Sequence, residues 1–177
     1  TAEIALAYVQ GLQSRGVAAT IKHFVGNESE HQRMSISSEI PERALRELYL
    51  RPFERAVKEG GVRAVMAAYN RLDGVFACDH TRLITEVLRG EWGFDGLVMT
   101  DWMAAHATVL GVEAGCDLEM PGPALHRGAL LVKAFEELGL PNIDQNSEQT
   151  LGTMLLQHTT QDGQRASTNA AFIRPIR

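Results

Sequence analysis

A chain of 177 residues is long enough for one domain with a real core, and its 45% hydrophobic and 22% charged content is ordinary for a globular fold. A net charge of -5 argues against the basic face that nucleic-acid binding needs, and no apolar stretch is long enough to span a bilayer. Cys78 and Cys116 make neither a disulfide framework nor a CxxC pair, so both read as buried thiols, which fits a reducing, cytoplasmic setting. Thr1 to Gln10 lack the basic start and apolar centre of a signal peptide. The chain opens inside an amphipathic pattern without an initiator Met, as expected of a piece of something longer.

Ile4, Leu6, Ala7, Val9 and Leu12 recur at helical spacing, and Gly11 and Gly16 mark a stop and a turn. Val17 to Ile21 reads as a short strand that ends at Lys22-His23-Phe24, followed by a polar loop from Val25 to Ser38. A long helix opens at Pro41, carries Leu45, Leu48, Tyr49, Phe53, Ala56 and Val57 on one face, and stops at Gly60-Gly61. Pro52 inside it predicts a kink or a break.

Val62 to Ala68 is the next strand, ending in Tyr69-Asn70, and Asp73-Gly74 is a turn signal. Asp79 and Thr81 precede a helix through Leu83, Ile84, Val87 and Leu88. Gly96 to Thr100 is a third strand, stopping abruptly at Asp101-Trp102, and a helix is expected from Met103 to Leu110. Cys116 to Met120 is a weaker strand, and Leu125 to Leu138 a further helix. From Leu140 the composition turns to Gln, Asn, Thr and Ser. A helix is expected over Leu151 to Leu156, with a poorly ordered tail beyond it.

Strands alternating with helices imply an α/β fold with a parallel sheet and helices outside it. Lys22-His23, Tyr69-Asn70, Asp101-Trp102 and Glu119 all fall at strand C-termini. In a (β/α) barrel those ends share the active-site face. Four strands are about half of the eight that a barrel needs, and an open α/β sheet also binds ligands beyond its strand ends.

Each candidate has two readings. Asp101 is either the cap of the following helix or a carboxylate able to form a covalent intermediate with a sugar. Tyr69 is either a core tyrosine or a donor that keeps Asp101 ionised. Lys22 and His23 either divide between solvent and packing, as strand neighbours do, or together offer donors to a polyhydroxylated ligand. Trp102 is either a core indole or a platform for a sugar ring. His23, Glu28 and His31 lack HExxH spacing, so no metal is expected, and without GxGxxG or a P-loop no nucleotide cofactor is expected either.

Four stretches in this order resemble glycoside hydrolase family 3, of the β-glucosidase type. They are Lys22-His23-Phe24-Val25-Gly26-Asn27-Glu28, Val65-Met66-Ala67-Ala68-Tyr69-Asn70, Gly96-Leu97-Val98-Met99-Thr100-Asp101-Trp102, and Ala114-Gly115-Cys116-Asp117-Leu118-Glu119-Met120-Pro121-Gly122. The resemblance covers about Ala18 to Arg127 and implies the C-terminal half of a (β/α)8 TIM-like barrel over residues 1–140, with a divergent tail over 141–177. It implies retaining hydrolysis of terminal, non-reducing β-D-glucosyl residues in glucosides or oligosaccharides, with no cofactor. Asp101 would be the nucleophile. Lys22, His23, Met66, Tyr69 and Trp102 would bind substrate.

Thr100 stands where the family has Ser, and Cys116 where it commonly has Leu. The resemblance also places a sugar-binding Asp and Arg upstream of Thr1 and the acid/base Glu in a following sandwich domain. The chain is therefore expected to need the other barrel half and that sandwich domain as partners. The alternatives are a non-catalytic remnant that at most binds sugar, or a family member acting on xylose, arabinose or N-acetylglucosamine. Half a barrel leaves open strand edges, so self-association is expected.

Overall fold

The apolar runs Val62 to Ala68 and Gly96 to Thr100 form the inner strands of a parallel sheet. Its order is β1 (Thr20–Phe24), β3 (Ala64–Ala67), β6 (Leu97–Thr100). In this computed structural model the described residues are 1–137, Gly139, 160–161 and 164–165. The register pairs Thr20 with Ala64, Val65 with Val98 and Ala67 with Thr100. Leu118 adds a single parallel bridge to Met99, so the predicted fourth strand is present as one rung. Consecutive βα units laid side by side in parallel are the α/β arrangement read from the sequence.

Alternation along the strands sorts the side chains. Val65, Ala67 and Val98 pack into the core with the helices, and Met66 and Met99 point to the other side of the sheet. Phe24, Val65 and Val98 are 0% exposed, and burying each such side chain stabilises the fold by about 1.5–3 kcal/mol. Phe24 meets Phe53 and Trp92 edge-on, with centroids 5.1 and 6.1 Å away.

Helix α1 (Ala2–Gln13) covers the predicted span, and Leu6 and Val9 are its buried residues; Ile4 faces outward. Gln13 Nε2 donates to the carbonyls of Gly60 and Gly61 at 3.0 Å each, tying α1 to the end of the next helical segment. That segment is broken, as Pro52 predicts. It runs as α2 (Glu42–Ala44), a π-helical stretch Leu45–Tyr49, and α3 (Arg51–Lys58), with Pro52 in the first turn of α3 where its missing N–H costs nothing. Arg82–Glu91 is also wound as a π-helix.

The small sheet β2 (Ser37–Ser38), β4 (Arg71–Leu72), β5 (Val75–Phe76) was not foreseen. Its hairpin turns at Asp73-Gly74, whose φ angles of 48° and 89° give the left-handed pair that such a turn demands. Beyond it lies a 3₁₀ turn, Ala77–Asp79.

Four expectations need correction. The first strand begins at Thr20 rather than Val17, because Val17 is exposed, while its end at Lys22-His23-Phe24 is as expected. No helix follows Trp102. Met103 adopts φ 63°, which a right-handed helix excludes, and helix α4 is confined to Val109–Glu113. The fourth strand is reduced because Pro121 and Pro123 lie just beyond Leu118 and cannot donate ladder bonds. Helix α5 is Ala129–Glu137, four residues later than expected. The Glu119 carboxylate takes up the N–H groups of Leu125, His126 and Arg127 in a loop instead.

Contacts divide the chain into two units, Thr1–Arg127 and Gly128–Arg177. The first contains the sheet and its helices. The second contains α5 and the short ladder β7 (Thr160–Gln161), β8 (Gln164–Arg165). The expected helix over Leu151 to Leu156 lies outside the described residues, as does nearly all of the expected tail. No helix among the described residues is long and apolar enough to cross a membrane.

Candidate active site

The C-terminal ends of the three paired strands bring His23, Tyr69 and Asp101 together. Asp101 follows β6 directly, and its backbone continues the sheet: its N–H donates to Ala67 O at 3.1 Å, and Thr100 N–H to Leu118 O at 2.9 Å. Thr100 Oγ1 accepts the Met120 N–H at 2.9 Å, holding the strand end from the other side. The Asp101 side chain is 10% exposed. A carboxylate so buried needs partners. Oδ1 accepts the Trp102 N–H at 2.6 Å, and Oδ2 faces His23 Nε2 at 3.1 Å. Since no helix begins here, Asp101 does not act as a helix cap; the turn that it holds is its own, closed by Ala104 N–H donating to Asp101 O at 3.1 Å.

Burial lowers the His23 imidazole below its usual range, and this outweighs the opposing pull of Asp101. His23 is therefore neutral at neutral pH, and its Nε2–H can donate a hydrogen bond to Asp101. Burial is also the largest cause that pushes the Tyr69 phenol up, followed by the Asp101 charge. The phenol stays protonated and remains a donor.

The other sequence candidates fall on the same end of the sheet with different surroundings. Trp102 is 63% exposed and is not a core indole. Lys22 is exposed, and its charge helps to lower His23. Met66 is buried on the face opposite the helix-packed core. A cavity of about 430 Å³ opens beside β1, lined by Lys22, His23, Asn27 and Glu28 on one side and by Tyr49 and Phe53 on the other. Asp101, Tyr69 and Trp102 stand outside it.

Sequence reasoning passed over Arg33 and Glu30. The guanidinium of Arg33 lies 4.6 Å from the Tyr69 ring centroid, and its Nη1 pairs with Glu30 Oε2 at 2.8 Å. Glu30 also accepts from Asn27 Nδ2 at 3.4 Å. The opposite charges at i and i+3 were the available signal in a loop that otherwise reads as solvated polar chain. Asn70 is fully buried, and its amide donates to Val25 O at 3.2 Å and Arg71 O at 2.9 Å, joining the ends of β1 and β3. Gly26 is tied to this spot: with φ 85°, any Cβ there would press on Ile40 and on the Asn70 amide.

Two of the acids near this face are already committed. Glu119 is bound to three backbone N–H groups, and Glu30 to Arg33 and Asn27. Among the described residues, no three His, Cys, Asp or Glu side chains gather as a metal site. The site as built is a buried carboxylate with two neutral donors and an exposed indole beside it.

The chain has known relatives. The sequence profile of the glycosyl hydrolase family 3 N terminal domain matches residues 1–150. A beta-glucosidase of Rhizobium radiobacter is 58% identical over 137 residues, covering 77% of this chain and 17% of the relative. Beta-glucosidase B of Emericella nidulans is 52% identical over 125 residues, covering 71% of this chain and 15% of the relative. Beta-glucosidase 3B of Thermotoga neapolitana, solved with glucose, superposes with a TM-score of 0.73 at 45% identity, over 79% of this chain and 21% of that one. The chain thus spans about a sixth of the length of the curated relatives it matches. Its α/β sheet is part of the TIM-like barrel of those proteins. With the profile running through residues 1–150 and relatives above 50% identity, the chain belongs to glycosyl hydrolase family 3.

Proposed function

We propose that this chain carries the nucleophile of a retaining β-glucosidase, and that Asp101 is that nucleophile. One observation supports the reading above the others: a carboxylate whose side chain is 10% exposed, at the mouth of a parallel strand, has one oxygen turned toward His23 at 3.1 Å. An Asp oxygen attacks the anomeric carbon, the bond from that carbon to the leaving-group oxygen breaks, and a glycosyl ester forms. Water then attacks the same carbon and frees Asp101. His23 and Tyr69 hold the carboxylate in place, Lys22 and Met66 line the sugar subsite, and Trp102 offers the sugar an apolar face. The beta-glucosidase names of the relatives favour a terminal β-D-glucosyl residue over xylose, arabinose or N-acetylglucosamine.

Retention needs a second carboxyl about 5–5.5 Å from the first to protonate the leaving group. We place that carboxyl outside this chain, in the following sandwich domain of a longer parent that also supplies the other barrel half; within the chain, Glu30 and Glu119 are held by other partners. The same commitments keep a second reading alive, that the isolated chain binds sugar without turning it over.

A 2-deoxy-2-fluoro-β-glucoside with an activated leaving group separates the two, since it needs the nucleophile but not the acid. The expected result is a mass increase on the peptide holding Asp101, absent in Asp101→Asn. No adduct on the wild-type chain would leave only the binding reading. Competition by xylosides, arabinosides and N-acetylglucosaminides tests the sugar.

A further inference from the structure

Two strand ends meet at the site, and the segments that follow them meet again farther out. After Tyr69-Asn70 the chain makes the β4–β5 hairpin, which ends at Phe76. After Asp101-Trp102 it runs without regular structure through Ala104 and Ala105 to His106. The His106 imidazole stacks on the Phe76 ring with centroids 3.5 Å apart and planes 15° from parallel. Arg71 covers Phe76 at 4.1 Å. Two groups this close cannot share one face of the ring, so Phe76 is held between Arg71 and His106. Arg71 is itself anchored, its Nη1 donating to Ser35 O at 2.9 Å. Next to the stack, the Cys78 thiol donates to Ala104 O at 2.9 Å.

We propose that His106 is a positioning residue for the Asp101-Trp102 loop, fixing it to the Tyr69 hairpin through the Phe76 stack. Besides the burial of Ala104 and Ala105, the loop has few other ties. Met103 N–H donates to Met120 O at 2.8 Å, and Ala104 N–H turns back to Asp101 O. The loop carries no helix to stiffen it, and Trp102 and Met103 are more than half exposed. The stack and the thiol bond supply what a helix would have supplied. They set the separation of the two segments, and that separation sets how Tyr69 faces Asp101.

His106 is not one of the buried core residues, so substitution there spares the core. The test is hydrogen exchange by mass spectrometry on the full chain as wild type, His106→Ala and His106→Phe. In His106→Ala the amides of residues 102–107 exchange faster by about fivefold, the worth of one aromatic stack, while β3 and β6 keep their protection. His106→Phe keeps the ring face and returns the loop to the wild-type rate. Unchanged loop exchange in His106→Ala overturns the proposal, and so does equal acceleration in the Ala and Phe variants. Should His106→Ala fail to fold, His106→Gln is read in the same way.

A second arm rests on Asp101 being the nucleophile. Trapping by the fluoro-glucoside slows in His106→Ala through its limiting rate constant, with the half-saturating concentration unchanged. Absence of trapping in the wild type would remove the nucleophile reading and leave the exchange result, and the positioning role, standing.

Discussion

His23 Nε2 stands 3.1 Å from Asp101 Oδ2, joining the end of the first strand to the end of the third across the strand between them. Burial keeps the imidazole neutral, so the contact is a hydrogen bond from a neutral donor rather than a full ion pair. A neutral donor orients the carboxylate without cancelling its charge, as a nucleophile requires. Replacing His23 by Ala is expected to slow covalent trapping at Asp101 by about 10²-fold, the scale for losing one preorganised donor. A time course of adduct mass measures it, and an unchanged rate refutes the role.

The same shift makes stability depend on pH. His23, His80 and His106 all sit below their ordinary value of 6.5, with burial the first cause for each. Between the folded-state value and 6.5 the unfolded chain binds more protons, so stability rises with pH through that window and is lost below it. Asp79 has the opposite sign. Burial raises it from 3.8, so ionising it weakens the fold as pH climbs above that value. Thermal unfolding is expected to shift to lower temperature between about pH 7.5 and about pH 5.5, and His80→Gln to flatten that slope. A midpoint that rises on acidification would contradict the assignment.

The sheet was legible because its signal is local. Val65, Val98 and their neighbours are apolar runs with β-branched residues, and each ends in a polar group. What the sequence hid depends on distant partners. Met103 to Leu110 carries a helical pattern, but Ala104 is drawn under Cys78 and His106 onto Phe76, and those contacts outweigh propensity. In the sequence Glu119 is only an acid at a strand end. Only folding brings the N–H groups of Leu125, His126 and Arg127 around it. Arg33 was hidden for the same reason, since Tyr69 is far from it in the chain.

Arg127 shows how tightly this region is packed. It is 8% exposed, its Nη1 donates to Cys116 O at 2.6 Å, and its guanidinium lies against Gly111. A Cβ at Gly111 would meet that guanidinium and come within 2.8 Å of Asp79 Oδ1. Gly111→Ala therefore displaces Arg127 and loosens its hold on the fourth strand. The expected loss is about 1–3 kcal/mol, the usual cost of overpacking. Urea unfolding should show a lower midpoint with an unchanged slope; a midpoint equal to wild type would mean that the guanidinium moves aside freely.

The free side of β1 makes the last prediction. Among the described residues β1 pairs only with β3, so its other edge presents unpaired backbone N–H and C=O groups. Next to that edge lies the 430 Å³ cavity, walled by Ile21, Leu48, Tyr49, Pro52 and Phe53. Leu48 is 68% exposed, and on α1 the exposed Ile4 and Tyr8 add apolar surface. An open edge beside a partly apolar hollow is a template for another chain, and among the described residues lining it the charged side chains are Lys22 and Glu28. The isolated chain is expected to sediment as species larger than its 19.4 kDa mass, increasingly so at higher concentration. Leu48→Glu places a charge at the rim of the hollow without touching β3 or β6, and should shift the distribution toward monomer. A monodisperse 19.4 kDa wild-type chain at all concentrations would show that the edge is protected in solution.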